Sequence, residues 1–344
     1  MRAPSVDRSR LPGRRALVTA GALMAVALVA AATPQLLGSR ISAAIDVLGD
    51  ADPTWIWLAV LGFLCSLVGA AGAWWTAVRL CGGRLGLLDA NGRYGVGSLV
   101  NTFVPARAGD AVRLALFSRT VDHEDRLWAT TGAVAAVGAA RALGLAALVI
   151  CGAVLGAMPL WPLLVLGALA GIAAAVAWWA RKGDAASHAA HALDAFRALG
   201  REPLAGVRIV GWIGLATVGR VGAAAAIAAA MGVRGPLAAA LIIVPALDLA
   251  GLMPLTPGNV GIASGAVAMA LRAHGVGLED ALSAGIAFHA VETVVSVLYG
   301  ALGALLVAGD SIPVGRRRVL AGVTMCVAAA AVAALGATVF VNLV

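Results

Sequence analysis

Charge is what this chain of 344 residues has least of. Only 12% of it is Asp, Glu, Lys or Arg, against about 25% in an ordinary soluble domain. That shortfall excludes a conventional soluble enzyme. Lysine is almost absent: Lys182 stands alone against 24 arginines, a ratio that reflects composition rather than chemistry. The four cysteines, Cys65, Cys81, Cys151 and Cys326, have neither CxxC nor metal-ligand spacing, so no thiolate metal site is expected. There is no nucleophile elbow, HExxH, Walker loop or carboxylate-rich metal motif, and no soluble region large enough to bind a donor nucleotide. No catalytic residues, cofactor or metal are therefore expected, and the chain reads as a non-enzyme. The period-two alternation of an outer-membrane barrel is missing as well.

What is present is apolar length. Hydrophobic residues make up 61% of the chain and mean hydropathy is +0.95. Runs long enough to cross a hydrocarbon core, about 20 residues, are read at 16–37, 54–80, 127–157, 161–180, 206–232, 280–308 and 318–342. The first follows a basic segment and resembles a signal peptide, but further spans follow it, which favours an uncleaved helix. The net charge of +8 reads as topology, because arginines cluster at span ends and no basic stripe carries interleaved aromatics. No nucleic-acid partner is expected. Arg8, Arg10, Arg14 and Arg15 place the N-terminus in the cytoplasm, and Asp46, Asp50 and Asp52 place 38–53 outside. Arg79, Arg84 and Arg93, the loop 181–205 and Arg316 to Arg318 lie inside.

Two regions do not fit as simple spans. Residues 81–126 begin and end inside, and 233–279 begin and end outside, yet both contain apolar stretches. Both read as re-entrant hairpins broken at proline and glycine, at Pro105–Gly109 and Pro257–Gly261. Pro105 and Pro257 are 152 residues apart, as are Gly109 and Gly261, and the flanking spans match at the same offset. The expected fold is an all-α integral membrane protein with about seven transmembrane helices and two re-entrant hairpins in an inverted repeat. Its units are an N-terminal segment and first helix (1–53), a first repeat (54–160, hairpin 94–119), a connecting helix and loop (161–205), an inverted second repeat (206–309, hairpin 236–274) and a C-terminal helix (310–344). Coincidence in a chain with 43 glycines is the competing explanation.

Broken backbone at membrane depth needs a polar cavity, and a half-helix starting at each tip aims N–H groups into it. Arg107 and Arg113 add charge that matches phosphate oxygens. Alternatively they reach the cytoplasmic surface, with Asp110 pairing one of them. Arg141 lies mid-span, where arginine costs roughly 2.5–3.5 kcal/mol on insertion scales. It calls for Asp110, Asp248, Glu292, a ligand phosphate or water, and an Arg141–Glu292 ion pair is the structural alternative to ligand binding. Asp248, His289 and Glu292 are the groups a proton-coupled carrier would use, although a buried histidine bonded to a carbonyl is the commoner case. Arg220 is a further intramembrane charge without an assigned partner. His188 and His191 read as part of an amphipathic surface helix rather than a metal pair.

At its two hairpins the sequence resembles the lysylphosphatidylglycerol synthase transmembrane-domain, or flippase-like, family. The first family motif, N-x-x-x-P-x-R-x-G-[DE]-x-x-R, is met by Asn101, Pro105, Arg107, Gly109, Asp110 and Arg113. The second, P-x-T-P-G-[GN]-x-G, is met by Pro254, Thr256, Pro257, Gly258, Asn259 and Gly261. The chain departs at Ser264, where many members have Glu, and around Arg141, where neighbouring acids are missing. The resemblance covers about residues 50–310. It implies a multi-pass protein of the bacterial inner (cytoplasmic) membrane that moves a lipid with a phosphate headgroup bound by the two motifs and Arg141. Lipid aminoacylation is not implied. A scaffold or accessory subunit for an envelope-biosynthesis enzyme, and a small-solute carrier, are the other function classes to weigh. The oligomeric state stays open.

Overall fold

The computed structural model describes residues 52–104, 108–122, 126–156, scattered positions between 164 and 178, 202–251 and 260–308. The expected spans 16–37 and 318–342, most of 161–180, residues 181–201 of the 181–205 loop, and residues 105–107 and 252–259 of the expected hairpins lie outside the described residues. Among those described there are eight helices: α1 (Pro53–Leu80), α2 (Leu87–Phe103), α3 (Ala108–Ser118), α4 (Arg126–Val154), α5 (Pro203–Ala230), α6 (Pro236–Ala250), α7 (Val260–Ala273) and α8 (Leu278–Ala308). An isolated antiparallel bridge between Gly83 and Val121 is the one strand-like contact among them. Among the described residues, four helices are long and apolar enough to span a bilayer: Pro53–Leu80, Ala129–Val154, Pro203–Ala230 and Leu278–Val307. The protein is a multi-pass, all-helical membrane protein. Its elements run long, short, short, long, twice over.

Local chemistry explains where the long helices start and stop. Asp52 caps α1 by accepting the Thr54 N–H at 2.9 Å, and Pro53 fills the first helical position, where no N–H is needed. Helix α5 likewise begins with proline, Pro203, and both helices have 28 residues. Each ends at a glycine in the left-handed region, Gly82 (φ 81°) and Gly232 (φ 69°). There the following N–H turns back onto the helix: Gly83 to the Val78 carbonyl at 3.0 Å, and Val233 to that of Ala228 at 2.9 Å.

The α1–α5 pair forms the spine. A Cβ on Gly62 would sit 2.6 Å from the Gly219 carbonyl oxygen, and one on Gly69 would sit 2.7 Å from that of Trp212. Contacts that descend α5 as they ascend α1 make the pair antiparallel. In a bilayer, helices associate by close packing rather than by hydrophobic burial, and small residues permit that approach. Two apolar cores occupy opposite ends of this spine. One gathers Ala59 and Phe63 of α1 with Ala223 and Ile227 of α5 and residues of α6, α7 and α8. Its Phe63 and Phe288 rings meet edge-on at 5.0 Å. The other gathers Trp74 and Val78 of α1 and Ile209 and Ile213 of α5 with Tyr94, Phe117 and Val137.

Helices α2 and α3 fold back on each other as an antiparallel pair. In α2–α3, Gly97 lies directly against Gly109, and Arg93 donates to the Leu116 carbonyl at 2.9 Å. Helices α6 and α7 pack against each other, and α6 contains the buried Pro245 three residues before Asp248.

Candidate functional site

A cavity of about 340 Å³ opens midway along the α1–α5 spine, between the two cores. Helix α1 lines it with Phe63, Ser66, Leu67 and Ala70, and α5 with Ile213, Ala216, Thr217 and Arg220. Each residue of the first set is 150 positions before its counterpart in the second (63 and 213, 66 and 216, 67 and 217, 70 and 220). Helices α2 and α6 keep the same offset at Tyr94 and Val244, and at Ser98 and Asp248. The two halves thus present equivalent backbone positions and different chemistry.

The first polar cluster stitches α2 to α3. Tyr94, Ser98 and Asn101 follow one another at helical spacing on one stripe of α2. Asn101 Oδ1 accepts the Gly109 N–H at 2.7 Å, and its Nδ2 donates to Asp110 Oδ1 at 3.3 Å. Arg113 Nη1 donates to the same Asp110 oxygen at 2.6 Å, Nη2 to Ser98 Oγ at 2.6 Å and Nε to the Tyr94 carbonyl at 3.3 Å. The Arg113 guanidinium also lies over the Tyr94 ring, 3.9 Å from its centre. All three nitrogens are engaged within the hairpin, and the residue is only 8% exposed. The first-turn N–H at Gly109 is thus satisfied by Asn101 instead of pointing unpaired into the cavity.

The second cluster joins three helices through charge alone. Arg220 of α5 donates to Asp248 of α6 at 2.9 Å and to Glu292 of α8 at 3.3 Å. Its buried Nε has no hydrogen-bond partner. One cation faces two carboxylates, so the cluster carries net negative charge. His289 lies one turn before Glu292, with Nε2 3.4 Å from Thr293 Oγ1.

Arg141 projects from the middle of α4 into the same cavity and is exposed there. The Arg141–Glu292 pair considered from the sequence does not form. Each candidate acid is held by an arginine other than Arg141: Asp110 by Arg113, and Asp248 and Glu292 both by Arg220. The reason is geometric, since α5 places Arg220 facing both α6 and α8. Among the described residues Arg141 has no hydrogen bond or ion pair, and it is the cavity's uncommitted cation.

Asn101, Asp110, Arg113, Arg141, Asp248, His289 and Glu292 therefore meet in one cavity, although they come from five helices. Gly109 and Gly261 fall in the first turns of α3 and α7. Pro105, Arg107, Thr256, Pro257, Gly258 and Asn259 lie outside the described residues. Sequence reasoning missed the role of Arg220 as keystone and of Tyr94 and Ser98 as partners of Arg113. The polar stripe at 94, 98 and 101 in an otherwise apolar helix was the available signal for the latter two. No group of three His, Cys, Asp or Glu among the described residues could hold a metal ion.

A family model described as the lysylphosphatidylglycerol synthase TM region matches residues 16–300, most of the chain. No curated protein matches it. The chain belongs to the lysylphosphatidylglycerol synthase TM-region family.

Proposed function

We propose that this family member is a non-enzymatic translocator of a membrane lipid with a phosphate headgroup, bound in the central cavity. The observation that carries the reading is Arg141, a full guanidinium at the centre of an apolar spanning helix, facing a polar cavity with no protein partner among the described residues. Such a charge is costly in hydrocarbon and calls for water or an anion. Phosphate oxygens suit its planar donor fork. About 340 Å³ accommodates a headgroup while leaving the tails in lipid.

In this reading the α2–α3 and α6–α7 pairs are re-entrant hairpins in an inverted repeat. The recurring element order, the antiparallel spine and the equivalent cavity positions support that arrangement. The protein sits in the bacterial inner membrane with its N-terminus in the cytoplasm. Arg107 and the second motif, Thr256 to Gly261, complete the site from the hairpin tips. Rocking one half against the other changes which side the cavity opens to.

Dithionite quenching of fluorescent phosphatidylglycerol in proteoliposomes tests this. The intact chain is expected to move lipid between leaflets, and Arg141→Ala to lose that activity. Equal rates with Arg141→Ala would sink the site assignment. Stable co-purification with an envelope enzyme and no lipid movement would instead favour an accessory subunit.

A further inference from the structure

Among the described residues, Arg113, Arg141 and Arg220 face Asp110, Asp248 and Glu292. A bound phosphodiester that competes for Arg220 brings a third negative charge to a cation that already faces Asp248 and Glu292. In a poorly solvated cavity such a charge favours protonation of the nearest loosely held carboxylate. We infer that lipid phosphate and a proton bind together, the phosphate displacing Glu292 from Arg220 and the proton going onto the released Glu292 carboxylate. This rests on the phosphate reading above and adds a proton site to it.

Geometry selects Glu292 over the other two acids. Asp110 is bound to Arg113 at 2.6 Å and Asp248 to Arg220 at 2.9 Å, whereas Glu292 sits at the longer distance of 3.3 Å. The partner Glu292 shares is also the one a phosphate would compete for, since Arg220 lines the cavity with Arg141. The groups around Glu292 leave it as the acceptor. Helix α5 contributes Arg220 and α6 contributes Asp248, already paired. Across the cavity α4 offers Arg141 and α3 the closed Arg113–Asp110 pair, while α2 offers Tyr94 and α1 no ionisable side chain. On α8 itself, His289 is the neighbouring titratable group. The proton comes from water when lipid binds and returns to water when it leaves, so each crossing carries one anionic headgroup and one proton.

Isothermal titration of the detergent-purified full chain with dihexanoyl phosphatidylglycerol, in buffers of different ionisation enthalpy, reads this directly. The intact protein is expected to take up about one proton per lipid bound, so that affinity falls as pH rises, by up to about tenfold per pH unit. Glu292→Gln should bind lipid with no proton uptake and an affinity flat in pH, and His289→Ala should keep the uptake. Lipid binding without proton uptake by the intact protein overturns the inference while leaving the phosphate reading intact. Uptake that survives Glu292→Gln, or vanishes in His289→Ala, overturns it too. Absence of any binding heat sinks the phosphate reading and this inference together. Should Glu292→Gln not fold, the proton count and pH slope of the intact protein decide alone.

Discussion

The two halves of the cavity solve the same problem, an arginine deep in apolar sequence, in opposite ways. In the first half, Arg113 is held by a carbonyl, a hydroxyl and one acid, all from the α2–α3 pair to which it belongs. In the second, Arg220 is held only by two acids, each from a different helix. Where the first half has Ala70 and Ser98, the second has Arg220 and Asp248, each 150 positions on. A guanidinium satisfied by its own hairpin is a rivet. One satisfied by carboxylates on separate helices can exchange partners, because an entering anion offers it equivalent oxygens. The comparison assigns stability to the first cluster and responsiveness to the second.

The sharpest way to break that comparison is Arg220→Ala. It leaves two carboxylates facing each other in a partly buried site, and stripping one partner from a buried ion pair costs about 3–5 kcal/mol. Its thermal melt should collapse, and adding Asp248→Asn and Glu292→Gln should restore folding without restoring lipid movement. Failure of that rescue would mean Arg220 is as much a rivet as Arg113.

Next in size is Gly97→Val. A Cβ at Gly97 already meets the Arg113 side chain and, at 2.7 Å, the Gly109 carbonyl, neither of which can retreat. Overpacking of this kind costs about 1–3 kcal/mol or more, and the loss should appear in size-exclusion profiles and melting temperature. Arg141→Ala should melt within about 0.5 kcal/mol of the parent. In lipid movement it should lose the value of a charge-assisted bond, about 10- to 100-fold. A strongly destabilised Arg141→Ala would show that it holds the fold together after all. The smallest expected effect is Tyr299→Phe, which removes the 2.6 Å bond to Asn91 that ties α8 of the second half to α2 of the first. It should lower stability by about 1 kcal/mol and leave lipid movement unchanged.

Much of this was legible from residue order. The four long helices 54–80, 127–157, 206–232 and 280–308 lie within three residues of those observed. Asn101, Asp110 and Arg113 of the first motif meet in one cluster because they flank a single break. Pairing across helices was not legible. Whether Glu292 meets Arg141 or Arg220 depends on how α8 is rotated against α4 and α5, and nothing in the spacing of one chain fixes that rotation. Nor could the sequence show that Arg113 would spend a nitrogen on the Tyr94 carbonyl, since backbone acceptors are the same at every residue.

The spine carries one last consequence. Gly62 of α1 faces Gly219 of α5, and 150 positions on from the first and back from the second lie Trp212 and Gly69, which also touch. The seam reads the same from either side, as a self-matched interface does between twin subunits. A side chain enlarged at Gly62 therefore presses on Gly219, and one enlarged at its counterpart, Trp212, presses on Gly69. Along this seam the two halves must drift together, while the walls of the cavity are left at liberty to diverge.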